Sequence, residues 1–200
     1  MDGVVLVTGV MAAGKSTVAQ RLAEALPRAA HVRGDAFRRM IVSGRVEYVP
    51  GEDGEPTTRA GAERASGAGG ERASGVDGEA VAQLRLRYRL SAATADGYAA
   101  AGFTAVVQDV VLGEHLRTYV GLVRTRPLYV VVLAPGAAEV AAREAGRAKT
   151  GYGGGWTVAA LDDELRLRTP RIGLWLDTSG WTPHETVEAI LADAQRARVA

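Results

Sequence analysis

The most constraining feature of the sequence is the loop GVMAAGKS, residues 9–16, which lies between an apolar run and an amphipathic segment. Residues 4–7 are all apolar, a pattern typical of a strand buried on both faces of a parallel sheet. After the loop, Val18, Leu22 and Leu26 recur at helical spacing. The order strand, glycine-rich turn, helix predicts an α/β domain whose first turn presents backbone amides to an anion.

The spacing within the loop indicates which anion it binds. It matches G-x-x-x-x-G-K-[ST], in which the backbone surrounds phosphates, the lysine reaches the β- and γ-phosphates and the hydroxyl binds Mg²⁺. Lys15 is one of only two lysines among 24 basic residues, and a planar guanidinium substitutes poorly for a compact ammonium in such a cradle. We therefore predict ATP and Mg²⁺ as cofactors, Lys15 as catalytic and Ser16 as a metal ligand. The predicted ATP-binding residues of the loop are Gly9, Met11, Ala12, Ala13, Gly14, Lys15, Ser16 and Thr17.

Strand and helix patterns alternate along the rest of the chain. Strands are predicted within residues 29–35, 103–113, 127–134 and 171–180, with helical periodicity between most of them. Such alternation predicts a three-layer, doubly wound α/β fold with a mostly parallel sheet of five strands. We expect residues 1–200 to form a single domain.

A glycine-rich insert interrupts this alternation. Periodicity disappears at residues 51–77, which contain the tandem repeat GAERASGA and GGERASGV. Such a composition buries too little apolar surface to offset the entropy lost on ordering. We predict a mobile surface loop, and the alternative is a lid over the substrate.

Asp35 follows the second predicted strand, where the carboxyl ends of parallel strands line a ligand crevice. A carboxylate there is a candidate base for a substrate hydroxyl that attacks a γ-phosphate. The alternatives are a water-mediated contact with Mg²⁺ and an N-cap for the next helix. Arg38, one turn further on, is a candidate for binding a substrate anion or an exposed surface arginine.

Asp109 follows the apolar run TAVVQ and is predicted to bind Mg²⁺ or substrate at the end of a core strand. A charge in such a run needs a partner, because burying it alone costs several kcal/mol. The alternative is a carboxylate that reaches solvent at the strand end. Gln108 is its polar neighbour, with no defined role.

Arg143 and Arg147 share one face of a helix that precedes a glycine-rich segment. Together with Lys149 they predict a closing lid that neutralises charge on a transferred phosphoryl group. The alternative is that a helix C-terminus simply favours cations. Thr178, after the last strand, is predicted to contact the adenine.

The composition excludes several classes of chemistry. The chain has no cysteine, so disulfides and thiol nucleophiles are absent, and its three histidines show no metal-ligand spacing. A net charge of +1 argues against a nucleic-acid or membrane partner. The first residues lack the features of a signal peptide, and we expect a cytoplasmic protein. The oligomeric state is not determined by the sequence.

Four segments, GVMAAGKST, RGDAFR, VVQDVVLG and REAGRAKTG, together resemble the small-molecule P-loop kinases of the chloramphenicol phosphotransferase type. That group is related to shikimate, gluconate and nucleotide kinases. The resemblance implies that Asp35 is the base and that Arg143 and Arg147 belong to a basic lid. Such antibiotic kinases have paired acids at the end of the third strand, whereas this chain has Gln108 and Asp109. The acceptor of that group is therefore not assigned to this chain.

The main hypothesis is therefore ATP-dependent phosphorylation of a hydroxyl on a small molecule, either an antibiotic or other natural product or a metabolite. One alternative is a nucleotide-binding ATPase or resistance protein without a phosphoryl acceptor. Another is a nucleoside, nucleotide or polynucleotide kinase.

Overall fold

The computed structural model describes residues 1–46, 48–50, 56–58, 70–146 and 157–199, with residues 48–50, 56–58 and 70–77 described by their backbone alone. The strands are β1 (Val4–Gly9), β2 (Ala29–Arg33), β3 (Tyr48–Pro50), β4 (Pro56–Thr58), β5 (Thr104–Gln108), β6 (Leu128–Leu133), β7 (Leu174–Leu176) and β8 (Arg198–Val199). The helices are α1 (Lys15–Ala25), α2 (Gly34–Arg39), α3 (Gly70–Ala100), α4 (Glu114–Leu122), α5 (Ala137–Ala145), α6 (Val158–Asp163), α7 (Pro183–Ala192) and α8 (Ala194–Ala197). A π-helical turn, Glu164–Arg168, extends α6.

Five parallel strands form the central sheet in the order β2, β5, β1, β6, β7. Every residue of β1, β5 and β6 is buried, as expected for strands covered on both faces. In the register, Val5 of β1 lies between Val106 of β5 and Tyr129 of β6. The predicted mostly parallel, doubly wound sheet is confirmed. The short strand β8 adds a sixth, antiparallel member beside β6.

Helices cover both faces of the sheet. Helix α1 packs with α7, while α3 packs with α4, and both α1 and α3 contact β5. Helix α7 begins with a capping box: the Thr182 hydroxyl accepts a hydrogen bond from the amide of Glu185, whose carboxylate accepts one from the Thr182 amide at 2.7 Å. The described residues therefore form three layers around one hydrophobic core.

The predicted insert contains more regular structure than its composition suggests. Helix α3 begins at Gly70, inside the second copy of the repeat, and it contacts α2, β4 and β5. Such neighbours can stabilise a helix that the local sequence pattern does not predict. Strands β3 and β4 form a separate antiparallel pair in which Tyr48 faces Thr58. Residues 51–55 and 59–69 lie outside the described residues, so the mobility of the insert stays a prediction.

The topology places a crevice at the carboxyl end of β1. From β1 the chain moves first toward β2 and β5, and later crosses to β6 and β7 on the other side. Ligands of open α/β sheets bind where the strand order reverses in this way. Within the ranges that the structure describes, no helix is both long and apolar enough to cross a membrane.

Candidate active site

The loop that follows β1 has a backbone that its glycines make possible. Gly9 has φ 143°, and a Cβ atom there would overlap the carbonyl oxygen of Leu133 on β6. Gly14, the N-cap of α1, has φ 90°. Ala12 also has a positive φ, 60°, which a non-glycine residue adopts at some cost in free energy. The close approach to β6 and the turn into α1 therefore explain the two glycines of the motif.

Lys15 is held inside this loop. Its side chain is buried, and Nζ donates a hydrogen bond to the carbonyl oxygen of Val10 at 2.6 Å. No side chain caps α1, and the first amides of a helix have no acceptor within the helix. The loop thus combines an enclosed ammonium with a helix N-terminus, which fits the phosphates of a nucleoside triphosphate.

Asp35 lies in the first turn of α2 and is about one third exposed. Arg39 donates to its Oδ2 atom, and Nε of Arg33 lies 3.6 Å from Oδ1. Arg33 is the N-cap of α2, so the alternative in which Asp35 caps the helix is wrong. Two guanidinium groups therefore fix the carboxylate at the end of β2, and Arg38 lies half-buried on the same helix.

Asp109 is completely buried at the end of β5, so the alternative of a solvent-exposed carboxylate is wrong. Arg87 of α3 binds it through two nitrogens, with Nε 2.8 Å from Oδ2 and Nη2 bonded to Oδ1. The amide of Val110 also donates to Oδ1, at 2.7 Å. Gly34 packs so closely that a Cβ atom there would overlap Oδ2. The carboxylate is therefore fully engaged by protein groups, and its predicted role as a metal or substrate ligand stays a prediction.

Arg87 is the functional candidate that the sequence analysis missed. It belongs to the segment LRLRYR, in which arginines alternate with apolar residues. The hydroxyl of its neighbour, Tyr88, donates to the carbonyl oxygen of Val110 at 2.8 Å, so consecutive residues of α3 bind the end of β5. The sequence did indicate that Asp109, if buried, must have a charged partner. It could not identify which of many arginines would supply that partner.

His31 belongs to a polar cluster beside these groups. Its Nδ1 atom lies 2.8 Å from Oε1 of Gln20 on α1, and the buried side chain of Gln108 lies next to the ring. Burial, followed by the positive charge of Arg33, lowers the pKa of His31 below 6.5. Burial, followed by Arg85, likewise lowers the pKa of His115.

These two shifts predict a loss of stability on mild acidification. The unfolded chain takes up protons at both histidines as the pH falls through 6.5, while the folded protein takes them up only at lower pH. The contribution of these two histidines to the free energy of unfolding should therefore be constant above this pH and decrease below it. We expect Tm to fall between about pH 7.5 and about pH 5.5. Thermal melts of a His31→Gln/His115→Gln double variant should show a smaller fall, and an equal fall would contradict this explanation.

Arg143 connects the phosphate loop to the segment after β7. Its Nη2 atom donates to the carbonyl oxygen of Thr178 at 3.0 Å, and Nε bonds to Glu139 at 2.8 Å. A Cβ atom on Gly14 would lie 3.8 Å from its Nη1 atom. The buried Oγ1 atom of Thr178 has no hydrogen-bond partner among the described residues. The structure therefore brings Arg143 and Thr178 together beside the loop, while Arg147 and Lys149 lie outside the described residues.

The donor set available to a metal ion is small. Across the described ranges, no three His, Cys, Asp or Glu side chains come together as a metal site. Ser16 is exposed at the start of α1, so its hydroxyl is accessible to an ion that also binds phosphates. Because Mg²⁺ keeps several waters and uses few protein ligands beside phosphates, this residue fits the ion.

The fold and the loop together define an α/β P-loop domain with a P-loop kinase-like fold. Residues 4–170 match a sequence family described as an AAA domain. This match covers most of the chain, and the protein belongs to that family. No curated protein matches the chain in sequence.

Solved structures with this fold include several kinases. An unliganded sugar kinase from Janibacter sp. has 20% sequence identity and a TM-score of 0.63, with 98% of this chain and 96% of that chain covered. The tunicamycin resistance protein of Deinococcus radiodurans has 14% identity and a TM-score of 0.61, with coverages of 100% and 99%. The Mycobacterium tuberculosis APS kinase CysC in complex with AMPPNP and APS has 15% identity and a TM-score of 0.60, with coverages of 97% and 98%. At these identities the likeness concerns the fold.

Proposed function

We propose that the protein transfers the γ-phosphoryl group of ATP to a hydroxyl group of a small molecule. The observation that carries this proposal is the loop between β1 and α1, where the buried Lys15 ammonium lies 2.6 Å from the carbonyl oxygen of Val10. The sugar kinase and APS kinase folds support the same reaction class. The acceptor is proposed to be a metabolite, an antibiotic or another natural product.

The residues around the loop divide the work of the reaction. The acceptor oxygen attacks the γ-phosphorus, the bond from phosphorus to the β–γ bridging oxygen breaks, ADP leaves, and the hydroxyl proton passes to Asp35. Lys15 and Arg143 stabilise negative charge on the phosphates, and Arg147 is proposed to join them. Mg²⁺, held by Ser16 and phosphate oxygens, would neutralise further charge. Thr178 is proposed to lie beside the adenine, and Arg38 beside the acceptor.

Asp109 has a positional role in this proposal. Its oxygens bond to Arg87 and to the amide of Val110, and it touches Gly34, the residue before Asp35. The ion pair therefore fixes the β2–α2 junction against β5 and α3. Through that junction it positions the proposed base.

Replacing Lys15 with arginine tests the phosphate cradle. A guanidinium is larger and planar, so it does not fit where the ammonium is bonded inside the loop. Loss of a hydrogen bond to a charged group costs about 1.5–3 kcal/mol, so ATP affinity should fall roughly 10- to 100-fold. Isothermal titration with ATP measures this change. Arg117→Lys, a basic exchange on the exposed surface of α4, is the matched control and should bind ATP normally.

The reaction itself is tested by incubating the protein with ATP, Mg²⁺ and a panel of hydroxylated metabolites and antibiotics. Mass spectrometry should detect an acceptor that gains one phosphoryl group, and no gain with the Lys15→Arg variant at the same ATP concentration. A protein that binds and hydrolyses ATP but modifies no member of the panel would favour the ATPase alternative.

A further inference from the structure

A cleft of about 450 Å³ runs along α1 next to the edge strand β2. This volume is within the range of small-molecule sites. All seven side chains that line the cleft are polar or charged. Ligand sites usually have mostly apolar walls, so this cleft suits an unusually polar occupant.

The cleft begins at the phosphate loop. Ser16, Gln20 and Glu24 are spaced four residues apart, so they form one stripe on α1, roughly 12 Å long. Thr17 and Arg21 form the adjacent stripe by the same spacing. The floor of the cleft is therefore a continuous row of polar groups that starts at the proposed ligand of Mg²⁺.

Strand β2 supplies the opposite wall and connects it to the proposed base. His31 and Arg33 are two residues apart and point to the same side of the strand. Nε of Arg33 lies 3.6 Å from Oδ1 of Asp35. A molecule in the cleft therefore contacts the phosphate loop at one end of the cleft. Along the β2 wall it contacts Arg33, which pairs with Asp35.

The charges and hydrogen bonds of the cleft indicate the chemistry of its occupant. Gln20 bonds to both His31, at 2.8 Å, and Glu24, at 2.9 Å, so these three side chains hold one another. Arg21 and Arg33 bring two positive charges against the single negative charge of Glu24. The hydroxyl, amide and carboxylate side chains of the cleft can hydrogen-bond to a molecule with many hydroxyl groups. The excess of positive charge favours an anionic group on that molecule.

We propose that this cleft is the acceptor site and that the acceptor is a polyhydroxylated anion, a small hydroxylated carboxylate or phosphate. This inference rests on the proposed function for the fate of the molecule, but binding in the cleft does not depend on phosphoryl transfer. The acceptor places its reacting hydroxyl at the Ser16 end of the cleft, where Arg33 of the wall pairs with the proposed base Asp35, and its anionic group against Arg21.

The test compares pairs of molecules that differ only in the anionic group. Isothermal titration of the full chain uses gluconate against glucitol and glucose 6-phosphate against glucose. At least one anion should bind tenfold or more tightly than its neutral partner. Arg21→Gln should remove that preference, and Glu24→Gln, which removes the negative charge of the cleft, should strengthen it.

Arg117→Gln, an arginine exchange on α4 away from the cleft, is the control and should change neither preference nor affinity. Equal binding of charged and neutral partners, binding by neither, or a preference that survives Arg21→Gln with an unchanged Tm would overturn the proposal. Anion binding without any phosphoryl gain would refute the proposed kinase activity and leave the cleft assignment intact. Phosphoryl transfer to an acceptor whose KM is unaffected by Arg21→Gln would support the kinase activity and refute the assignment of the cleft.

Discussion

An Asp35→Asn variant is expected to transfer phosphoryl groups about 10²- to 10⁴-fold more slowly, because asparagine cannot accept the proton of the acceptor hydroxyl. Asparagine has nearly the same shape, and its side-chain oxygen can still accept the hydrogen bond that Arg39 now donates to Oδ2, while the ion pair with Arg33 is lost. The loss should therefore appear in kcat with the acceptor, while ATP affinity stays near the wild-type value.

The matched control is Asp193→Asn, which removes a carboxylate paired with Arg196 at the end of α7. This variant should retain full transfer activity. If Asp35→Asn also retained it, the base would have to be another group and the role proposed for Asp35 would be refuted. A large loss of ATP affinity would instead indicate that Asp35 acts mainly on the nucleotide or its metal ion.

A Gly34→Ala variant is expected to lose about 3–5 kcal/mol of folding free energy, although it adds a single methyl group. The new Cβ atom would overlap Oδ2 of the buried Asp109 carboxylate, which has no room to move while Arg87 binds both its oxygens. Either the ion pair separates, leaving charges buried without partners, or α2 shifts away from β5. Thermal unfolding should show a Tm lower by roughly 10 °C, and urea unfolding should show a lower midpoint concentration.

Gly97→Ala provides the control for this substitution. Gly97 is an exposed helical glycine of α3, and a Cβ atom there meets no atom within 4 Å. The exchange should stabilise the protein by about 0.5–1 kcal/mol, because alanine restricts the unfolded chain and favours helix. If Gly34→Ala lowered the free energy of unfolding no more than Gly97→Ala does, Asp109 would not be packed tightly against the β2–α2 junction, and this explanation would be contradicted.

Much of the fold could be predicted because the signals are local. The all-apolar runs of β1 and β6 predict strands buried on both faces, and the Thr182–Pro183 start of α7 predicts a helix boundary. In the site, the motif from Gly9 to Ser16 predicts its own backbone, because its glycines permit the turn and the approach to Leu133.

Other features depended on residues far apart in the sequence. Composition suggested an unstructured insert, but α3 begins at Gly70, since neighbouring elements can stabilise a helix that weak local periodicity does not predict. The partner of Asp109 could not be identified among the arginines of the chain, because Arg87 is 22 residues away and reaches it only through the packing of α3 on the sheet.

By itself, the sequence determined the phosphate loop, the strands that surround it and the position of Asp35 after β2, since these follow from spacing and hydrophobic pattern within a few residues. The tertiary structure alone decided that Asp109 is a buried partner of Arg87, that Arg143 lies beside Gly14 and bonds to Thr178, and that polar side chains of α1 and β2 line one cleft. Each of these depends on how the sheet and helices bring distant side chains together, which no local pattern records.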